Sequence, residues 1–110
     1  MKKVFVIISL LVSSLFAGNY STGFKFYKQA KKELRKGNKH KAEILFKQAE
    51  KEFLDVAQTQ HSSQAYGKLA EIYCNGYGVK VDKAQAMIYL TEAKKYGLSF
   101  ISDKCVKNLK

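Results

Sequence analysis

The chain has 110 residues, a formal net charge of +11 at pH 7, two cysteines, and neither proline nor tryptophan. That length excludes a multidomain architecture, and the lack of proline leaves long helices unbroken. The basic balance favours acidic partners in general, whether anionic lipid, nucleic acid, acidic cell-wall polymer or acidic protein, without choosing among them.

In chain order, the first element is Met1 to Ala17. Lys2 and Lys3 precede an apolar run of 13 residues, Val4 to Phe16, and Ala17 and Gly18 supply small residues at its end. This is the layout of a secretory signal peptide. The run is short for a membrane-spanning helix, which needs about 20 apolar residues. Cleavage after Ala17 would put Leu15 at a position where a smaller residue is usual, so an uncleaved anchor is the rival reading. Export implies a periplasmic or secreted protein and argues against a nucleic-acid partner. Any membrane contact would run through an uncleaved signal segment.

Residues 18–23 read as a flexible leader. A helix pair is expected over 24–58. Phe24, Tyr27, Ala30 and Leu34 recur at helical spacing on one face. Gly37 suits a helix C-terminus and Asn38 the N-cap of the next helix. That second helix carries Ala42, Leu45, Phe46, Ala49, Phe53 and Ala57 and runs to about Gln58. A polar break over Thr59 to Ser63 follows, with Ser62 or Ser63 as a cap. The next helix buries Ala65, Tyr66, Leu69, Ala70, Ile72 and Tyr73 and ends at Asn75-Gly76-Tyr77-Gly78. Asp82 caps a fourth helix, with Gln85 as the reciprocal partner of a capping box. This helix presents Ala86, Ile88, Tyr89, Leu90 and Ala93, and Gly97 stops it. A last helix within 98–110 places Ile101, Cys105 and Leu109 on one stripe.

The chain repeats itself. Asn38, Ala42, Phe46 and Ala49 align with Asp82, Ala86, Leu90 and Ala93 at a constant offset of 44. Each pair shares a job: cap, small contact residue, large packing residue, small contact residue. The fold class that follows is all-α, an antiparallel helix-pair solenoid of about two and a half pairs.

Residues 62–97 resemble a Sel-like repeat, a relative of the tetratricopeptide repeat. The residues that carry the resemblance are Ala65, Tyr66, Gly67, Leu69, Ala70 and Tyr73, then Gly76-Tyr77-Gly78-Val79, then Asp82, Ala86, Tyr89, Leu90, Ala93 and Gly97. Residues 24–58 are similar to an ordinary tetratricopeptide unit through Gly37, Ala42, Phe46 and Ala49, and 98–110 resemble the first helix of a further unit serving as a cap. The resemblance implies a protein-binding scaffold whose first helices line a concave surface. Gln64, Lys68, Glu71 and Asn75 are the exposed polar candidates there for a protein or peptide partner.

Cys74 and Cys105 are 31 residues apart. An exported chain with an even count permits one disulfide, which would lock the terminal helix to the body; two free, partly buried thiols are the alternative.

No cofactor is implied. His40 and His61 have no ligand partner at metal-binding spacing on the same helix face, so both read as solvated. Gly76-Tyr77-Gly78-Val79 follows a helix and lacks the Gly-Lys-Ser/Thr ending of a phosphate cradle. Some cysteine-rich exported relatives are described as β-lactamases or penicillin binders. The serine machinery for that chemistry, Ser-x-x-Lys with Ser-Asp-Asn and Lys-Thr-Gly, is missing, and Ser102-Asp103-Lys104 is only a near miss. The expectation is therefore a non-enzyme. A weak β-lactamase or cell-wall binder is one alternative, and a basic protein adhering to anionic surfaces is another. The latter would use Lys25, Lys28, Lys32, Arg35 and Lys36, which otherwise form a solvated face.

Overall fold

The computed structural model describes residues 19–109. The signal segment expected over 1–17, together with Gly18 and Lys110, lies outside the described residues. Within them the protein is all-α, a stack of antiparallel helix pairs. The helices are α1 (Tyr20–Arg35), α2 (Lys39–Gln60), α3 (Ser63–Asn75), α4 (Lys83–Lys95) and α5 (Lys104–Lys107). α1 packs on α2 and α3 on α4. α3 also packs against α2 on one side and α5 on the other.

Local chemistry sets most of the boundaries. Asn19, Ser62, Asp82 and Asp103 each have extended backbone, and each side chain accepts the backbone N–H three residues on, which satisfies one of the orphan donors of a helix start. Gly76 ends α3 in the left-handed conformation, at φ 74°. Its N–H and that of Tyr77 both donate to the Ile72 carbonyl at 2.9 Å, closing the last turn. His61 ends α2 at φ 52°, with its ring stacked on Tyr96 at 4.8 Å.

Several expectations are corrected. Residues 18–23 are not a leader through their whole length, because Asn19 caps α1 and Tyr20 begins it. The cause is tertiary as well as local: the Tyr20 ring meets Phe24 at 5.7 Å and Phe53 at 5.5 Å. α2 runs to Gln60 and not Gln58. The Asn38 side chain makes no cap and donates instead to Glu33 Oε2 at 3.2 Å. The capping box at α4 is one-sided, since the Asp82 N–H donates to the Tyr73 carbonyl at 2.9 Å and leaves Gln85 nothing to return. Ile88 faces solvent at 55% exposure, and Leu34 is exposed as well. The capping helix expected over 98–110 shrinks to the single turn α5. Asp103 restarts the helix late, Ile101 precedes it, and the residue it buries is Val106.

Burial falls into two clusters that meet at α3. Ala65, Leu69 and Ile72 join Tyr27, Ala30, Phe46, Ala49 and Phe53 in one cluster. Ala70 and Cys74 join Ala86, Leu90 and Val106 in the other. Fully burying a Leu, Ile or Phe contributes about 1.5–3 kcal/mol; Phe46 and Phe53 of α2 and Leu69 and Ile72 of α3 are the largest such side chains, and α3 contributes to both clusters. Ala49, Ala65 and Ala93 have no exposed surface, as close helix approach requires.

The offset of 44 extends beyond the second helices. Gly23 and Gly67 stand at equivalent places on α1 and α3, and both are buried. A Cβ at Gly23 would lie 2.8 Å from the Phe53 ring, and one at Gly67 would lie 3.2 Å from Leu98. The first unit therefore begins at α1 itself, including residues expected in the leader.

Two features tie the units together. The turn after α3 folds back on α2: Tyr77 stacks on Phe46 at 4.6 Å with an interplanar angle of 5°. A Cβ at Gly78 would stand 2.8 Å from Phe46 Cβ and 3.1 Å from the Glu43 carbonyl. The second feature is a Cys74–Cys105 disulfide with a Cα–Cα distance of 6.1 Å, inside the reach of roughly 7 Å that such a bridge allows. It fastens the C-terminal turn to α3.

Gly78→Ala places a methyl group against Phe46 and the Glu43 carbonyl at φ 72°, so it is expected to lower stability by about 2–3 kcal/mol. Gly37→Ala, at φ 87° with open space around it, is expected to cost about 1 kcal/mol. Urea denaturation of the two variants checks the difference. Replacing Cys74 and Cys105 together by serine removes a crosslink across 31 residues and is expected to cost about 3–4 kcal/mol. In hydrogen exchange, protection should be lost first over residues 98–109, with α1 and α2 retaining theirs longest.

Candidate functional site

α1, α3 and the segment from Gly97 to Lys104 face one another across a trough. Its two compartments share Lys68, Glu71 and Ser102. One, of about 580 Å³, is floored by Phe24 and Tyr27 and flanked by Lys28, Lys31, Arg35 and Lys104. The other, of about 380 Å³, lies toward Tyr20, Gln64, Leu98, Phe100 and Ile101.

The α1 side follows from helical spacing. Phe24, Lys28, Lys31 and Arg35 fall on one face, at steps of three and four. Lys25, Lys32 and Lys36 fall on another face, exposed and away from the trough. The basic run thus divides into two stripes. In the inner stripe the Lys28 ammonium lies 4.8 Å from the Phe24 ring centre, and Lys31 lies 5.5 Å from Tyr27 and 5.9 Å from Tyr77. Cations over aromatic faces at these distances are held by the ring quadrupole.

The α3 side differs from the expectation of four exposed polar residues. Gln64 is exposed and lines the trough. Lys68 and Glu71 pair with each other at 3.1 Å, and their side chains are only 19% and 14% exposed. The Tyr27 hydroxyl donates to Glu71 Oε1 at 2.6 Å. Lys68 also lies over Phe24 at 5.4 Å and Tyr27 at 5.0 Å. Asn75 Nδ2 donates to the Glu71 carbonyl at 2.9 Å and to the Asp103 carboxylate at 3.2 Å. Lys68 and Glu71 therefore join Phe24 and Tyr27 in the floor of the trough, already paired, whereas Asn75 is taken up by Glu71 and Asp103 and lines neither compartment.

Other residues singled out from the sequence take structural places. Ala65, Leu69, Ala86, Leu90 and Ala93 are buried. Tyr73 and Tyr89 are half-buried against each other at 5.5 Å, and the Tyr73 hydroxyl donates to Glu50 of α2. Gly97 turns at φ 108° and leads into the segment that walls the trough. Tyr20, Leu98 and Phe100 escaped the sequence reading. Tyr20 was assigned to the leader, and Leu98 and Phe100 lie outside any helix, where periodicity carries no signal. Among the described residues no three His, Cys, Asp or Glu side chains gather at metal-binding distance, and no helix is long and apolar enough to cross a membrane.

Several tyrosine hydroxyls are pushed above their ordinary range. Burial is the main cause at Tyr27, with the neighbouring Glu71 charge adding to it; at Tyr73 burial again leads, followed by its bond to Glu50. Compared with protein-family models, curated proteins and solved structures, the chain matches none.

The tyrosines give an alkaline signature. A phenol with a raised native pKa keeps its proton where the unfolded chain, titrating near 10.0, loses it. The tyrosines' contribution to stability is therefore expected to be level below pH 10 and to fall as pH rises beyond it. Tyr27→Phe removes the bond to Glu71 and should cost about 1–3 kcal/mol at neutral pH. It should also flatten the alkaline fall. Thermal melts across the alkaline range, with ultraviolet absorbance to follow tyrosinate, test both.

Proposed function

We propose that the protein is an exported scaffold of the Sel-like type, acting in the cell envelope by holding a segment of another protein in the trough between α1, α3 and the C-terminal segment. The trough carries this reading. It is concave, continuous across both helix pairs, and bordered by the first helix of each. A stack of helix pairs offers such a surface because each unit is rotated slightly on the last. Chemistry by residues of the trough is not part of the proposal. Its polar floor is internally paired, Lys68 to Glu71 and Glu71 to the Tyr27 hydroxyl, as a fixed recognition surface would be. Export rests on the pattern of residues 1–17, and an extracytoplasmic site is compatible with the Cys74–Cys105 bridge.

The reading is tested by site-specific photo-crosslinking in envelope preparations from cells producing the full chain. A crosslinking amino acid at Gln64, inside the trough, is expected to trap a discrete partner. The same amino acid at Gln48, exposed on α2 outside it, should not. Equal trapping from both positions, or none from Gln64, would remove the trough from the function.

A further inference from the structure

Building on the proposal that the trough holds a protein segment, we infer the chemistry of that segment: a short acidic stretch that carries bulky apolar side chains at one end. Two properties of the trough lead to this.

The first is unmatched positive charge. Lys28, Lys31, Arg35 and Lys104 border the larger compartment, and none pairs with a carboxylate among the described residues. The acids nearby are committed. Glu71 accepts from Tyr27 and Lys68, and Asp103 accepts the Val106 N–H at 3.0 Å besides Asn75. Four free cations round an aromatic floor are complementary to carboxylates, which would gain charge-assisted hydrogen bonds there. Lys28 and Lys31 already rest on Phe24 and Tyr27, which limits the rotamer freedom lost on binding.

The second is the apolar end. Past Lys68 and Glu71 the trough continues to Tyr20, Leu98, Phe100 and Ile101. Phe100 is 77% exposed, the most exposed large apolar side chain among the described residues. A uniformly charged polyanion would match the cationic compartment and leave this end uncovered. A flat anionic membrane would not enter a concave surface lined from both sides. A polypeptide offers both features within a few residues, and a chain in extended form reaches from one compartment to the next.

The test uses the full chain, purified with its disulfide intact. Calorimetry measures binding of a synthetic peptide with a run of glutamates followed by Leu-Phe. Binding is expected, weakening steadily as salt is raised. Changing the glutamates to glutamine, or Leu-Phe to Ser-Ser, should each weaken it about tenfold or more. The combined variant Lys28→Ala, Lys31→Ala and Arg35→Ala should lose about tenfold. The charge-matched variant Lys25→Ala, Lys32→Ala and Lys51→Ala, outside the trough, should change it less than about threefold. Equal losses in both variants would reduce the effect to net charge and overturn the inference. So would indifference to Ser-Ser, or equally tight binding of anionic phospholipid vesicles or a sulfated polysaccharide. The peptide substitutions leave the protein untouched, so a misfolded variant does not decide the matter. Should Gln64 still trap a partner while the acidic peptide fails, the scaffold stands and only its ligand chemistry is refuted.

Discussion

Every part of the structure depends on α3 being buried on two faces. A helix on the surface of a small protein normally has one apolar stripe and one wet one. α3 gives Ala65, Leu69 and Ile72 to the cluster built with α1 and α2, and Ala70 and Cys74 to the cluster built with α4 and α5. Without it the two clusters have no common element, and the first helix pair is left with one side of its apolar surface uncovered. A single pair cannot cover its own apolar face, and a described domain of this size has little packing energy to spare.

That double burial also shapes the trough. Polar residues on α3 that would be free on a surface helix are drawn into contacts with its neighbours. Glu71 stands 44 positions after Tyr27, at the equivalent place one unit on, and the two meet through a hydrogen bond. Lys68 bears the same relation to Phe24, over whose ring it lies. Equivalent positions on successive first helices thus touch each other, and the floor of the trough is assembled from these pairs. What remains open for recognition is its border: cations from α1 and Lys104, and the apolar residues after Gly97.

The border on the C-terminal side has little secondary structure of its own. α5 is one turn, too short to be stable alone. Val106 is its one buried residue, and Asn75 binds Asp103 at its start. The Cys74–Cys105 bridge holds this segment against the most deeply packed helix of the molecule. Placing the crosslink there secures the element least able to hold itself.

Much of this was legible in the sequence. Helical periodicity located the four long helices, and Ser62, Asp82, Gly76 and Gly97 marked ends by local hydrogen bonding and by backbone conformations open to glycine. The offset linking Ala42, Phe46 and Ala49 to Ala86, Leu90 and Ala93 exposed the stacked pairs. These are short-range properties, and side-chain type alone fixes them. Other features depended on residues distant in the chain. Tyr20 became helical by packing on Phe53, the Asp82 N–H went to the Tyr73 carbonyl, Lys68 and Glu71 became a paired floor, and Asn75 was taken up by Asp103. The segment after Gly97 became a wall because Leu98 and Val106 found α3 and its neighbours, contacts that no periodicity records. Local propensity therefore determined most helix ends, those marked by Ser62, Gly76, Asp82 and Gly97, while the start of α1 and the extent of α5 were settled by packing. Only tertiary packing decided which polar groups were matched internally and which were left facing the trough, because that choice turns on neighbours brought together from across the chain.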